Sequence, residues 1–450
     1  MSLAEITITE LRNISDDTSP AFKILAKSKE GILTSFTCQK IYRCLPGKRI
    51  SCLGTWQNKT VFAKIFISKQ RSKTHCFREQ KGIELLHTKQ IISPKILQVS
   101  TALNNEVHII FFDFIDSAMS AQTVWDNSPI EEQQLFLEKM VTLIAKHHNK
   151  GVIQKDLHLD NFLIKNESIY TLDGSDITNS EVKHHKALNN LALFFAQFYP
   201  ENDKYIFPLF KLYISLRNCK IEKSLIDTLL KCTQIKRDKR KNSFLKKTHR
   251  ECSLFSFKKK WRQLIICNKN YLSNEMTKLL AHPDKFIEQG KFLKKGKSAT
   301  ISLVCLNDKK YVIKRYNTKN ISHAIRKLFR TSRASLSWRN AHMLNFYGIS
   351  THKPIALIEN RRKFIQKTSY YITEFIEGET CLEFYRNKKH SNQIKSDTAD
   401  KIMGVIAKLH SLFITHGDLK TTNLIISNHL PTFIDLDSMQ QHSKNVAFYK

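Results

Sequence analysis

Two stretches of this sequence align with each other without a gap, and that duplication limits the possible folds more than any other feature. The first reads AKHHNKGVIQKDLHLDNFLIKNESIYTLDGSD from Ala145; the second reads AKLHSLFITHGDLKTTNLIISNHLPTFIDLDS from Ala407. His148 aligns with His410, Asp156 with Asp418, Asn161 with Asn423 and Asp173 with Asp435. In both copies the first Asp precedes the Asn by five residues and the second Asp by seventeen. The flanking pattern predicts one local structure twice. An amphipathic helix (Phe136–His148; Ala399–His410) leads into a polar loop. A short β run follows (from Phe162; from Leu424), then a turn and a second β run ending in Asp173 or Asp435. Two carboxylates and a carboxamide then cluster beside a small hairpin.

That trio suits phosphoryl transfer, which asks for positioning and charge stabilisation more than for covalent chemistry. Asn and Asp oxygens make a hard site for Mg²⁺. The loop Asp accepts or orients the acceptor hydroxyl's proton. Such a site also needs a cation on the nucleotide phosphates. Lys64 in VFAKIF and Lys314 in YVIKRY each stand alone in an apolar β run, a costly place unless paired or bound to phosphate. Each is preceded by a turn and another β run carrying glycines, Gly47 and Gly54 or Gly290 and Gly296, but neither copy has G-x-G-x-x-G.

On these residues the sequence resembles a tandem of protein-kinase-like domains, and more closely the bacterial lipopolysaccharide kinase family of heptose and Kdo kinases. The first copy carries the resemblance in LPGKRISCLGTWQNKTVFAKIF, FREQKGIELL and QKDLHLDNFLI, the second in YVIKRYN, SWRNAHMLNFYGISTHKPIALIE, YYITEFIEG and HGDLKTTNLI. The resemblance implies an α+β fold: two kinase-like domains in tandem, each with a β-rich N-lobe and a helical C-lobe. Only fifteen residues follow Asp435, so the second C-lobe is expected to be truncated. The expected limits are an N-terminal segment (1–40), domain one (41–232), a basic connector (233–280) and domain two (281–450).

In the first copy the resemblance implies that Lys64 holds the nucleotide phosphates and pairs with Glu79. Asp156 is the catalytic Asp, His158 sits near the transferred phosphoryl, and Asn161 and Asp173 hold Mg²⁺. In the second copy Lys314, Asp418, Lys420, Asn423 and Asp435 take the matching positions. Asn340 stands where the first copy has Glu79. The first copy is therefore expected to be the active one. His148 and His410 are expected to be structural, bonding the loop backbone. ATP and Mg²⁺ are the implied cofactors.

Charge enters when partners are considered. The 450 residues carry 73 Lys+Arg against 40 Asp+Glu, a net charge of +33, so polyanions are attracted. Lys236–Arg262 holds twelve basic residues, and Lys309–Ile358 holds eleven with no acid. No nucleic-acid module is recognisable, so nucleic acid is not expected. A lipopolysaccharide core or related glycolipid is, with an anionic inner-membrane surface contacted by the basic stretches. The start lacks a signal-peptide pattern and no apolar run reaches a membrane span, so a cytoplasmic protein, peripheral on the inner membrane, is expected. Ten cysteines without a Cys-x-x-Cys pair are expected to be free thiols, with Cys267 and Cys305 as small core residues. Other readings are a kinase for a protein or aminosugar, or a pseudokinase scaffold.

Overall fold

Alternation along the early strands decides which way each side chain faces. In Arg49–Trp56 and Lys59–Phe66, Ile50, Cys52, Trp56, Val61, Ala63 and Ile65 are buried, so Phe62 and Lys64 must lie on the opposite face. The computed structural model describes residues 5–14, 21–218, 223–317, 331–362 and 365–442, with backbone only at 223, 361, 362 and 365–367. The chain divides into two units, Met1–Arg237 and Asp238–Lys450. Both mix helices and strands.

In the first unit β1 (Phe22–Lys27), β2 (Leu33–Leu45), β3 (Arg49–Trp56), β4 (Lys59–Phe66), β5 (Ile96–Ala102) and β6 (Val107–Asp113) close a barrel in the order β1-β2-β3-β4-β6-β5. Closure removes the free edges that an open sheet exposes. Its core includes Phe36, Trp56 and Phe111, with Trp56 stacked on Phe111 at 4.8 Å between centroids. Helix α1 (Ser72–Thr88) crosses from β4 to β5. The helical part holds α2 (Ile130–Asn149), the hairpin β7 (Phe162–Lys165) and β8 (Ser168–Thr171), α3 (His184–Phe195) and α4 (Ile206–Leu216). Phe136, Leu137, Met140, Val141 and Ile144 of α2 recur at helical spacing and pack with Leu191, Phe194 and Phe210.

The expected basic connector is corrected. Helix α5 (Lys223–Lys247) contributes Leu229 to the first unit's core and Leu245 to the second's. Beyond it, β9 (Phe255–Lys260) and β10 (Gln263–Asn268) form a hairpin. Phe255, Ile266 and Cys267 are buried, and this apolar content makes the segment part of a sheet rather than a connector. That sheet also holds β11 (Lys291–Lys295), β12 (Ala299–Leu306), β13 (Lys309–Tyr316), β14 (Pro354–Arg362) and β15 (Ile365–Glu374). Its order is β9-β10-β14-β15-β13-β12-β11. Helix α6 (Arg333–Phe346) packs on it, and α7 (Asn392–Ser411) precedes the hairpin β16 (Leu424–Ser427) and β17 (Leu430–Phe433). Cys267 is buried as expected, but Cys305 is exposed, because its place beside Lys310 near the β12–β13 turn lies off the core. Part of the basic stretch before Asn340, residues 318–330, lies outside the described residues. Among the described residues no helix is long and apolar enough to cross a membrane.

Burial strongly favours the neutral ring at two histidines of the first unit, His147 and His148, and at His342 and His352 of the second. Burial pushes His147 down to about 3 and His148 to about 4 in the first unit, and His342 and His352 to about 3 in the second. A folded value below the unfolded 6.5 means that the unfolded chain binds more protons. Their contribution to stability is full above pH 6.5 and is lost as the pH falls, down to about 4 for His148 and about 3 for the others. The expected slope is about 1.4 kcal/mol per pH unit for each histidine. Thermal unfolding at pH 5 should therefore fall on the order of 10 °C below that at pH 7. Scanning calorimetry across that range checks it, and His148→Asn should flatten the response.

Candidate active site

Lys64 emerges on the cleft face of β4, away from the barrel core, and α1 brings Glu79 to it. Lys64 Nζ lies 2.5 Å from Glu79 Oε1 and 3.2 Å from Asp173 Oδ1. Glu79 is fully buried, which a carboxylate tolerates only when paired and hydrogen-bonded. Its oxygens also accept from the backbone amides of Gly174 (3.2 Å) and Ser175 (3.1 Å). That contact needs close approach of helix and loop. A Cβ at Gly82 would sit 1.8 Å from the Gly174 carbonyl oxygen. Burial would raise the Asp173 carboxyl, but Lys64 and Arg49 outweigh it and hold that group well below the usual carboxylate range. Arg49 Nη1 lies 3.3 Å from Asp173 Oδ1.

These side chains line a cleft of about 790 Å³, together with Arg43, His158, Asp160, Asn161 and the segment Asp113–Ala118. Asn161 gives its Nδ2 to the Asp156 carbonyl at 2.7 Å, which leaves Oδ1 as its free donor atom toward a cation. Asp156 is 60% exposed, with Oδ2 3.3 Å from His158 Nε2.

The loop is tied in the same way in both copies. Leu172 donates its amide to the Asn161 carbonyl (2.8 Å), and Ile434 to that of Asn423 (3.0 Å). Gln154 reaches the Leu172 carbonyl at 2.9 Å, and His416, at the aligned position, that of Ile434 at 3.0 Å. The second β run of each copy stops two residues before its Asp, earlier than expected. Asp173 (φ 63°) and Asp435 (φ 62°) are left-handed, which takes the chain out of the strand. That conformation costs a non-glycine residue roughly 1–2 kcal/mol, a strain that points to function where it recurs.

The second unit differs where Asn340 replaces Glu79. Its Nδ2 donates to the carbonyls of Leu436 (2.8 Å) and Met439 (3.0 Å). A carboxylate that accepted amides and paired a lysine has become a donor to carbonyls. Lys314 accordingly pairs with Asp435 directly, and this outweighs burial to hold Asp435 below its ordinary value. Arg333 Nε binds Asp437 Oδ2 at 2.5 Å. Asp418 Oδ2 accepts from Lys420 (2.7 Å) and Asn423 (3.1 Å), and Asn423 also reaches the Asp418 carbonyl (2.9 Å). Restoring an acid alone should not restore the first unit's arrangement. Asn340→Asp sets a buried carboxylate against two carbonyls and should cost the second unit about 3 kcal/mol, read as a lower denaturation midpoint.

The structure brings Lys64, Glu79, Asn161 and Asp173 together around one cleft, with Asp156 and His158 beside one another on the loop. His148 differs in detail from expectation. It bonds the Tyr213 hydroxyl (2.6 Å) and Asn190 Oδ1 (3.0 Å), and it is Asn190 that reaches the loop, at the Gln154 carbonyl (2.8 Å). Sequence reasoning missed Arg49, Gln154 and His416. The adjacent Lys48 and Arg49 at the turn after Gly47 were the available signal for the first.

Residues 278–447, within the second unit, match the sequence model of the lipopolysaccharide kinase (Kdo/WaaP) family. A probable serine/threonine-protein kinase YbdM of Bacillus subtilis is 30% identical over 79 residues, 17% of this chain. That match spans 31% of the relative's own length. Among solved structures, a rhoptry kinase from Toxoplasma gondii (TM-score 0.29) and the PknI kinase domain of Mycobacterium tuberculosis (TM-score 0.27) are each 11% identical over 36% of this chain. They are covered over 52% and 73% of their own lengths. The family match agrees with the resemblance read from the sequence over residues 278–447 of the second unit.

Proposed function

We propose that this chain is an ATP- and Mg²⁺-dependent phosphotransferase built from two kinase-like domains, with phosphate transfer in the first. The ion network of Lys64, Glu79 and Asp173 facing the cleft carries this reading. A half-buried lysine held by two carboxylates is poised to meet nucleotide phosphates. Asn161 and Asp173 supply hard oxygen donors that fit Mg²⁺, which would bridge and neutralise phosphate oxygens. Asp156, exposed at the loop, takes or orients the acceptor hydroxyl's proton, and His158 stands beside it. The acceptor is a sugar hydroxyl of the lipopolysaccharide inner core, heptose or Kdo, met at the cytoplasmic face of the inner membrane. The family match supports that choice.

One observation favours a second reading, with transfer in the second unit: the family match falls there, on the segment holding Asp418, Lys420, Asn423 and Asp435. Mass spectrometry of core oligosaccharide decides. A strain lacking the gene should lose a phosphate, restored by the wild type but not by Asp156→Asn. Restoration by Asp156→Asn but not by Asp418→Asn would move the reaction to the second unit. An unchanged core would exclude this acceptor and leave a protein or aminosugar to be tested with labelled ATP.

A further inference from the structure

The β9–β10 hairpin ends in a feature that no step of phosphate transfer uses. Its last backbone pair is Lys260 with Gln263, so Trp261 and Arg262 form the turn. Trp261 is 74% exposed, although Trp56 and Trp338 are buried and Trp125 is half-buried. Lys258, Lys259, Lys260 and Arg262 around it are all exposed, with no acid between Phe255 and Asn268. The hairpin's root is different: Phe255 and Phe257 pack into the second unit's core. The register carries the pattern further. Gln263 lies beside Asn360, to which it is hydrogen-bonded at 3.1 Å, so the end of β14 at Arg361 and Arg362 reaches the same end of the sheet.

Lysines on an edge strand have an ordinary explanation: they block edge-to-edge aggregation. An exposed tryptophan does the reverse and needs a reason of its own. A polar-tipped indole ringed by cations suits the boundary of an anionic bilayer, where tryptophan sits at headgroup level and basic residues add Coulombic attraction. A strand-binding surface for nucleic acid would set several aromatics along a groove; here one aromatic occupies a turn.

We propose that the Lys258–Arg262 hairpin tip is a membrane anchor that inserts Trp261 among anionic headgroups. The inference rests on the reading of a membrane-borne acceptor. Its test contains neither nucleotide nor acceptor, so its outcome is separate from that of phosphate transfer. The full-length protein is mixed with vesicles of phosphatidylcholine, with and without about one third phosphatidylglycerol, and with an oligothymidine. Tryptophan emission and flotation are the readouts.

Anionic vesicles should shift emission to the blue and carry the protein upward, and neutral vesicles should do neither. Each lysine changed to serine should weaken binding about fivefold. Trp261→Ser should abolish the shift and weaken flotation about tenfold, and Trp261→Phe should recover most of the flotation. These side chains are exposed, so circular dichroism should not change. Variants that float like the wild type overturn the proposal. So does an emission shift produced by the oligothymidine and not by vesicles, which would make the tip a nucleic-acid contact.

Discussion

Asp156→Asn should lower phosphate transfer by at least about a hundredfold while leaving nucleotide binding nearly intact. A positioned proton acceptor typically contributes a factor of about 10² to 10⁴. The amide keeps the size of the carboxylate but not its basicity. Asp156 is largely exposed, and its backbone carbonyl, which the change leaves in place, accepts from Asn161, so the fold should tolerate it. The expected signature is a fall in kcat with little change in KM for ATP, the pattern of an interaction made in the transition state. Asp418→Asn in the other unit should cost far less. There Asp418 is tied to Lys420 and Asn423, and Asn340 leaves Lys314 without the helix carboxylate. Steady-state kinetics of both single variants and the double variant give the division of labour. A large loss in Asp418→Asn alone would reverse the assignment.

Gly82→Ala should be the most damaging single-methyl change in the first unit. The added Cβ would meet the Gly174 carbonyl oxygen at 1.8 Å, a backbone atom that cannot rotate away. Either α1 or the loop after Asp173 must move. Overpacking of this kind costs about 3 kcal/mol, worth about 6–12 °C in a unit of this size. The movement also separates Glu79 from the amides of Gly174 and Ser175 and loosens its hold on Lys64. Activity should therefore fall further than stability at a temperature where the variant is still folded. The aligned contact in the second unit is built around Asn340, so its unfolding should be unchanged. Calorimetry and ATP turnover on the same sample separate the two effects.

Much of the site was legible because it is written in short-range patterns. The spacing from Asp156 to Asn161 and Asp173 spans one loop and one hairpin, and the duplicate at Asp418 repeats it. Lys64 and Lys314 stood out because a lone lysine in an apolar β run is costly unless paired or bound to phosphate. The connector was misread because Lys236–Arg262 is so rich in charge that its sparse apolar positions, Leu245 and Phe255, were outweighed. Arg49 was missed because a cation at a turn carries no signal until Asp173, far along the chain, is brought 3.3 Å from it.

Local pattern thus accounts for the duplicated loop, the strand lysines, the Asn340 substitution and the net charge. Each depends on nearest neighbours or on composition alone. Folding alone decided that Glu79, the expected partner of Lys64, also accepts from two backbone amides, that Asn340 is turned into a carbonyl donor, and that Trp261 is left exposed at a hairpin tip. Those outcomes depend on contacts between residues distant along the chain, and on which of them burial deprives of water, and no local pattern encodes either.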